Sequence, residues 1–204
     1  MNPIFTLNYP ELAAAECLQK HFPKKDGYSV LIPLSGQQKG YDLALLKGNT
    51  DGKGEEQADQ GLSPLGSKVA TFQVKSSRAY PGTPGKAKLT NLEKFAHYLW
   101  LNTFAVPKEA DFFLVHGLYA PNPLSSKAKA STWRTVMLLF TNPEMQSLMG
   151  GLVSRNGGKE THFGFGFNDE KAIFLTRGHA LAEHPDVSPH LFANHHQVIE
   201  AAFA

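Results

Sequence analysis

The stretch ATFQVKSS, residues 70–77, decides how the chain is read. Its apolar residues alternate with polar ones, as on a strand whose two faces meet different surroundings. Ala70, Phe72 and Val74 share one face. Thr71, Gln73 and Lys75 share the other. A second stretch, GYDLALLK at 40–47, is apolar on both faces except at its tip, where Asp42 stands. That pattern predicts an interior strand covered on two sides. Neighbouring strands lie about 4.8 Å apart. If these two pair, Asp42 comes within reach of Gln73 and Lys75, and an acid, an amide and an amine converge at one end of a sheet.

Outward from this pair, residues 9–22 read as a helix. Pro10 suits a first turn, Glu11 complements the helix dipole, and Leu12, Ala15, Leu18 and Phe22 form an apolar stripe. Residues 28–34 read as a strand and 35–40 as a turn. Residues 48–67 are polar and glycine-rich and are expected to form a mobile loop or long hairpin tip. Thr90 and Glu93 have capping-box spacing, and Leu92, Phe95, Ala96 and Leu99 recur at helical intervals, so a helix is expected over 90–104. Strands follow at 111–119 and 133–140. A short helix is expected over 142–151, with Asn142 as its cap and Pro143 at its first position. A hairpin spans 162–167 and 171–176, and a final helix is opened by Ser188 and Pro189. The expected fold is α/β, a mixed central sheet flanked by helices in the order α-β-β-β-α-β. It forms a single domain over 1–204, with a core at about 9–140 and a C-terminal extension at 141–204.

Composition narrows the class. Of 204 residues, 42% are hydrophobic and 19% charged, which is ordinary for a globular protein able to bury a core. A net charge of +2 neither announces a nucleic-acid binder nor excludes one, because a local patch suffices. Cys17 is the only cysteine, so no internal disulfide forms. The N-terminal residues lack the pattern of a secretion signal, and the longest apolar runs are too short to span a bilayer. A cytoplasmic, soluble protein is the expectation.

The polar cluster suits a hard divalent cation, which takes oxygen ligands and keeps several waters. Asp42 offers an anionic oxygen, Gln73 an amide oxygen and Val74 a backbone carbonyl. Lys75 cannot ligate a metal, but it can orient an attacking water or stabilise charge on a phosphate.

A helix carrying a glutamate, a strand pair ending in Asp, a strand with (Asp/Glu)-x-Lys and then a helix is a layout that resembles the PD-(D/E)XK nucleases. The resemblance covers roughly 9–119. Asp42 matches the first acid, Gln73 stands where the second acid usually sits, Lys75 matches the lysine, and Glu16 matches the helix glutamate by its distance to GYSV. It implies an endonuclease that hydrolyses DNA phosphodiester bonds with Mg²⁺ or Mn²⁺. Asp42, Gln73, Val74 and Glu16 would hold the ion, and Lys75 would position the water. Two departures stand out. Tyr41 replaces the motif's proline, and Gln73 removes a negative charge, so that metal affinity falls or another carboxylate compensates. Glu11 and Glu16 lie five residues apart, about 140° around a helix, so only one of them faces a shared ion.

Ser76, Ser77, Arg78, Lys86 and Lys88 follow the motif and are candidate phosphate contacts. The same run also reads as a solvated loop. His179, His184, His190, His195 and His196 crowd the end of the chain without zinc-site spacing, and His195 falls on an apolar stripe, where a packed histidine is expected. The run SRNGGKETHF at 154–163 lacks the glycine and the Ser/Thr of a phosphate-binding loop. Residues 120–204 would extend the sheet, shape a groove or form a homodimer contact. The second hypothesis keeps the fold and loses the chemistry, leaving a module that binds nucleic acid or a protein partner. A third, an unrelated small-molecule enzyme, requires a deep apolar pocket away from Asp42.

Overall fold

The structure is a computed structural model that describes residues 9–33, 40–48, 68–82, 95–121, 133–181 and 183–204. Among these, helix α1 (Tyr9–His21) leads into strands β1 (Tyr28–Leu31), β2 (Leu43–Lys47) and β3 (Lys68–Pro81). Strands β4 (His97–Asn102), β5 (Phe112–Tyr119) and β6 (Arg134–Thr141) follow, then helix α2 (Asn142–Gly150) and strands β7 (His162–Phe167) and β8 (Ile173–Arg177). A 3-10 turn (Ser188–His190) and the short helices α3 (Phe192–His195) and α4 (Gln197–Ala202) close the chain. No described helix is long and apolar enough to cross a membrane.

The result is a mixed α/β protein built on one eight-stranded sheet with few helices. β1, β2 and β3 form an antiparallel run in the expected order. β5 lies parallel to β3, from Phe72 opposite Phe112 to Arg78 opposite Leu118, and β6 pairs antiparallel with β5. The last three residues of β3 pair with β4, which continues through β7 to β8. β3 is therefore shared by two halves of the sheet.

Side-chain alternation on the central strands fills two cores. Phe112 and Leu114 of β5 face one way, with Phe72 and Leu43, against α1 (Ala14, Leu18) and the C-terminal Phe192, Ile199 and Phe203. Phe113 and Val115 face the other way, against Phe163, Phe165 and Phe167 of β7 and Leu175 of β8. Each fully buried phenylalanine contributes about 1.5–3 kcal/mol through the water-exposed surface it loses. β7 can lie this close because Gly164 and Gly166 carry no side chain. A Cβ at Gly164 would sit 2.5 Å from Trp100, and one at Gly166 would sit 2.5 Å from Phe95.

The expected helix over 90–104 is overturned where it is described. His97–Asn102 is a strand, fully registered against β7 from His97 opposite Phe167 to Asn102 opposite His162. HYLWLN is rich in aromatic and apolar residues that fit a pleated surface, and Trp100 and Asn102 alternate outward while Leu99 and Leu101 are buried. The spacing of Phe95, Ala96 and Leu99 fitted a helix equally well, but pairing with β7 satisfies the backbone, with Phe95 and Leu99 buried and Ala96 left exposed. Over the described residues, β3 and β5 are thus joined through a strand rather than a helix.

Smaller differences have local causes. The cap of α2 is Thr141, whose side chain accepts from the Glu144 N–H while Glu144 reaches back to the Thr141 N–H. Asn142 instead donates to the carbonyls of Pro107 and Ala110, fastening α2 to the loop before β5. The final helix is broken into the 3-10 turn, α3 and α4. The loop expected over 48–67 lies outside the described residues beyond Gly48.

Candidate functional site

β2 and β3 part company at the motif. Their last ladder pair is Leu43 opposite Phe72. One residue further, the Asp42 N–H donates to the Phe72 carbonyl at 2.7 Å. The Asp42 side chain then takes over from the missing strand, and its Oδ2 accepts the Val74 N–H at 2.7 Å. A carboxylate accepting a backbone N–H contributes about 1.5–3 kcal/mol, enough to fix its direction. In a ladder, a residue's N–H and C=O point to the same edge. The Val74 carbonyl therefore faces the edge that β2 has left.

Gln73 and Lys75 project together from the face of β3 that carries Thr71. The Gln73 Oε1 is buried and receives no hydrogen bond. An orphaned buried acceptor costs about 1–3 kcal/mol. The Lys75 ammonium sits over the Phe104 ring, 4.7 Å from its centroid. Burial lowers its pKa from the ordinary lysine value, while the nearby Asp42 pulls the other way. Asp42 thus meets the Val74 N–H directly and lies close enough to Lys75 to act on its charge, and Gln73 shares the strand face of Lys75.

Glu16 lies apart from them. It forms a 2.8 Å ion pair with Lys20 on the exposed side of α1, and that pairing lowers its pKa. The buried stripe of α1 runs through Ala14, Ala15 and Leu18. Glu16, two residues from Leu18, points about 160° away from it. Leu12, counted in the expected stripe, is 46% exposed, and Glu16 had been matched through the resemblance rather than through the stripe. Glu11 continues the buried stripe one turn before Ala14 and Ala15 and is half-buried.

The phosphate-contact set is divided. Ser76 is exposed on the face opposite Gln73 and Lys75. The Ser77 hydroxyl donates to the Arg78 carbonyl at 3.1 Å. The Arg78 guanidinium lies 5.7 Å from the centroid of Trp133, which is itself exposed. Lys86 and Lys88 lie outside the described residues.

Two acids escaped the sequence reading. The Glu109 side chain packs against Gly40, whose φ of +111° carries the turn into Asp42; a Cβ at Gly40 would stand 2.7 Å from the Glu109 Cβ. Asp111 accepts from both the N–H and the hydroxyl of Thr71, each at 2.8 Å. Glu109 therefore stands beside the turn that leads into Asp42. The signal was the sequence KEAD just ahead of β5, but only a strand parallel to β3 turns it toward the motif.

Elsewhere, a cavity of about 330 Å³ is lined by residues that include Trp100, Val153, Glu160, Arg177, His179 and His184. Arg177 pairs with Glu160 at 3.2 Å, and the two imidazoles meet at 3.2 Å. None of its lining residues belongs to the Asp42 cluster.

No protein-family model, no curated protein and no solved structure matches the chain.

Proposed function

We propose that the Asp42 cluster binds Mg²⁺ or Mn²⁺ and that the protein is an endonuclease-like hydrolase of DNA phosphodiester bonds. One observation carries the reading: Gln73, whose Oε1 is buried and unpartnered, shares a strand face with the desolvated Lys75 and adjoins Val74, whose N–H pins the Asp42 carboxylate. A cation would satisfy that oxygen. The restriction-endonuclease-like reading of the fold draws support from the α1-β1-β2-β3 run and the parallel β5, not from the joining segment.

The residues present fit an oxygen-seeking ion. Asp42, the Gln73 amide oxygen, the Val74 carbonyl and Glu109 would hold it, with Glu109 replacing the charge that Gln73 lacks and Glu16 playing no part. Bound there, such an ion would acidify a water and offset negative charge on a phosphate. Lys75, anchored over Phe104, would direct its ammonium toward the same phosphate or its attacking water.

The test is incubation of the purified chain with plasmid and linear DNA in Mg²⁺ or Mn²⁺. Cutting that depends on the metal and disappears in Lys75→Ala supports the enzyme. A folded protein that never cuts, or cuts equally well without Lys75, overturns it. A second reading, a nuclease-fold module that binds DNA or a protein without chemistry, is favoured by the engagement of Asp42 Oδ2 with Val74. It predicts a shift of DNA, or capture of a protein, with no cleavage.

A further inference from the structure

A second cluster lies where the end of the chain returns to the sheet. Leu191 bridges to Leu138 of β6, and this seats the 3-10 turn and α3 beside the first turn of α2. Glu144 occupies that turn. Its Oε2 accepts the Thr141 N–H at 2.7 Å and the Thr141 hydroxyl at 2.8 Å, so the capping box locks the carboxylate. His195 Nε2 lies 3.3 Å from both carboxylate oxygens, with its hydrogen bond to Oε2, and His190 Nδ1 lies 4.0 Å from Oε1. His190 is clamped flat on Phe140, with ring centroids 4.4 Å apart, and the two imidazoles meet edge to face at 5.1 Å. One donor atom from each of the three residues falls within 4.8 Å of the other two.

A hydrogen bond from His195 to Glu144 is reason enough for that pair to be close. It does nothing for His190. The His190 Nδ1 is buried and has no hydrogen-bond partner, although it points at a carboxylate. A cation between the three donors would resolve the orphan. Bonds of about 2.0–2.1 Å at tetrahedral angles hold ligand atoms about 3.3–3.4 Å apart; His195 and Glu144 already stand at 3.3 Å, and His190, at 4.0 Å from Glu144, would close in on the ion. Two imidazoles with one carboxylate select a borderline transition metal over Mg²⁺. The three side chains are 20% to 35% exposed, so water reaches the remaining coordination position.

We infer that Glu144, His190 and His195 form a site for a divalent transition metal of the Zn²⁺ class, with three protein ligands and one position open to solvent. The ion ties the C-terminal segment to α2. This assignment is independent of the Asp42 cluster and gives His195 a role beyond the packing expected of it.

The test uses the full, tag-free chain stripped of metal by chelator. Zn²⁺ is titrated against a chromophoric chelator, and Co²⁺ is followed by its visible absorption. The wild type should bind one equivalent that excess Mg²⁺ does not displace. His190→Ala and His195→Ala should each weaken binding at least about 100-fold, and Glu144→Gln, which preserves the cap, at least about tenfold. His179→Ala should bind as the wild type does. Zn²⁺ should raise the melting temperature of the wild type but not of His190→Ala. Undiminished affinity in His190→Ala, or no Zn²⁺ binding by a folded wild type, overturns the assignment. Should the alanine variants fail to fold, the wild-type Co²⁺ spectrum decides: intense tetrahedral bands support the site, and the weak bands of a six-coordinate aqua ion overturn it.

Discussion

The Asp42 cluster and the Glu144 cluster solve different problems with different chemistry. The first is built on strands and presents oxygens and an ammonium at the point where β2 leaves β3. The second is built on a helix cap and a terminal segment and presents two imidazoles to one carboxylate. Each holds one buried polar atom without a partner, the Gln73 Oε1 and the His190 Nδ1. The difference in donors teaches that the two would sort ions, with a hard, hydrated cation at the first and a transition metal at the second.

The largest way to break this comparison is Lys75→Ala. DNA cleavage in Mg²⁺ should fall about 10²–10⁴-fold, the range for losing a positioned proton-transfer or charge-stabilising group, while Zn²⁺ titration is unchanged. Next, His190→Ala should lose Zn²⁺ about 100-fold and leave Mg²⁺-dependent cleavage at the wild-type rate. If either variant abolishes both properties, the two clusters are not separate. Gln73→Glu should sharpen the contrast. An added carboxylate beside Asp42 should lower the Mg²⁺ concentration for half-maximal cleavage by about tenfold, measured by plasmid nicking across a metal series.

The smallest effect concerns pH. Burial holds the Lys75 pKa below 10.5, so at neutral pH the folded state bears a charged amine that it disfavours. Between the folded pKa and 10.5 the unfolded chain binds more protons, and stability rises with pH through that window. Lys75→Met should therefore melt a few degrees higher than the wild type at pH 7. The gap should narrow as pH approaches 10.5. A gap that stays constant across thermal melts at both ends of that range would remove desolvation as its cause.

What the sequence made legible followed from strand parity. Gln73 and Lys75 had to share a face once 70–77 was a strand, and Asp42 had to meet them once 40–47 was its neighbour. Residues 97–102 were misread because a stripe at intervals of three and four fits a helix, and the deciding partner, β7, is remote in the chain. Glu109 was invisible because a loop, not a period, carries it to Gly40. Glu16 was chosen by the family pattern's distance to GYSV, and the helix instead turns it to solvent beside Lys20. Glu144, His190 and His195 have no common spacing. Only the return of the terminal segment to β6 puts them in one place.

β3 runs for 14 residues and is gripped along its length by different partners. It behaves as a beam clamped at both ends, with Gln73 and Lys75 in the span between the clamps. The far clamp depends on β7 and β8, and these also roof Phe113 and Val115 of β5. Residues 141–204 are therefore part of what keeps the motif stiff. A chain stopped at 140 would bare an aromatic sheet face and loosen the spacing on which any ion at Asp42 relies.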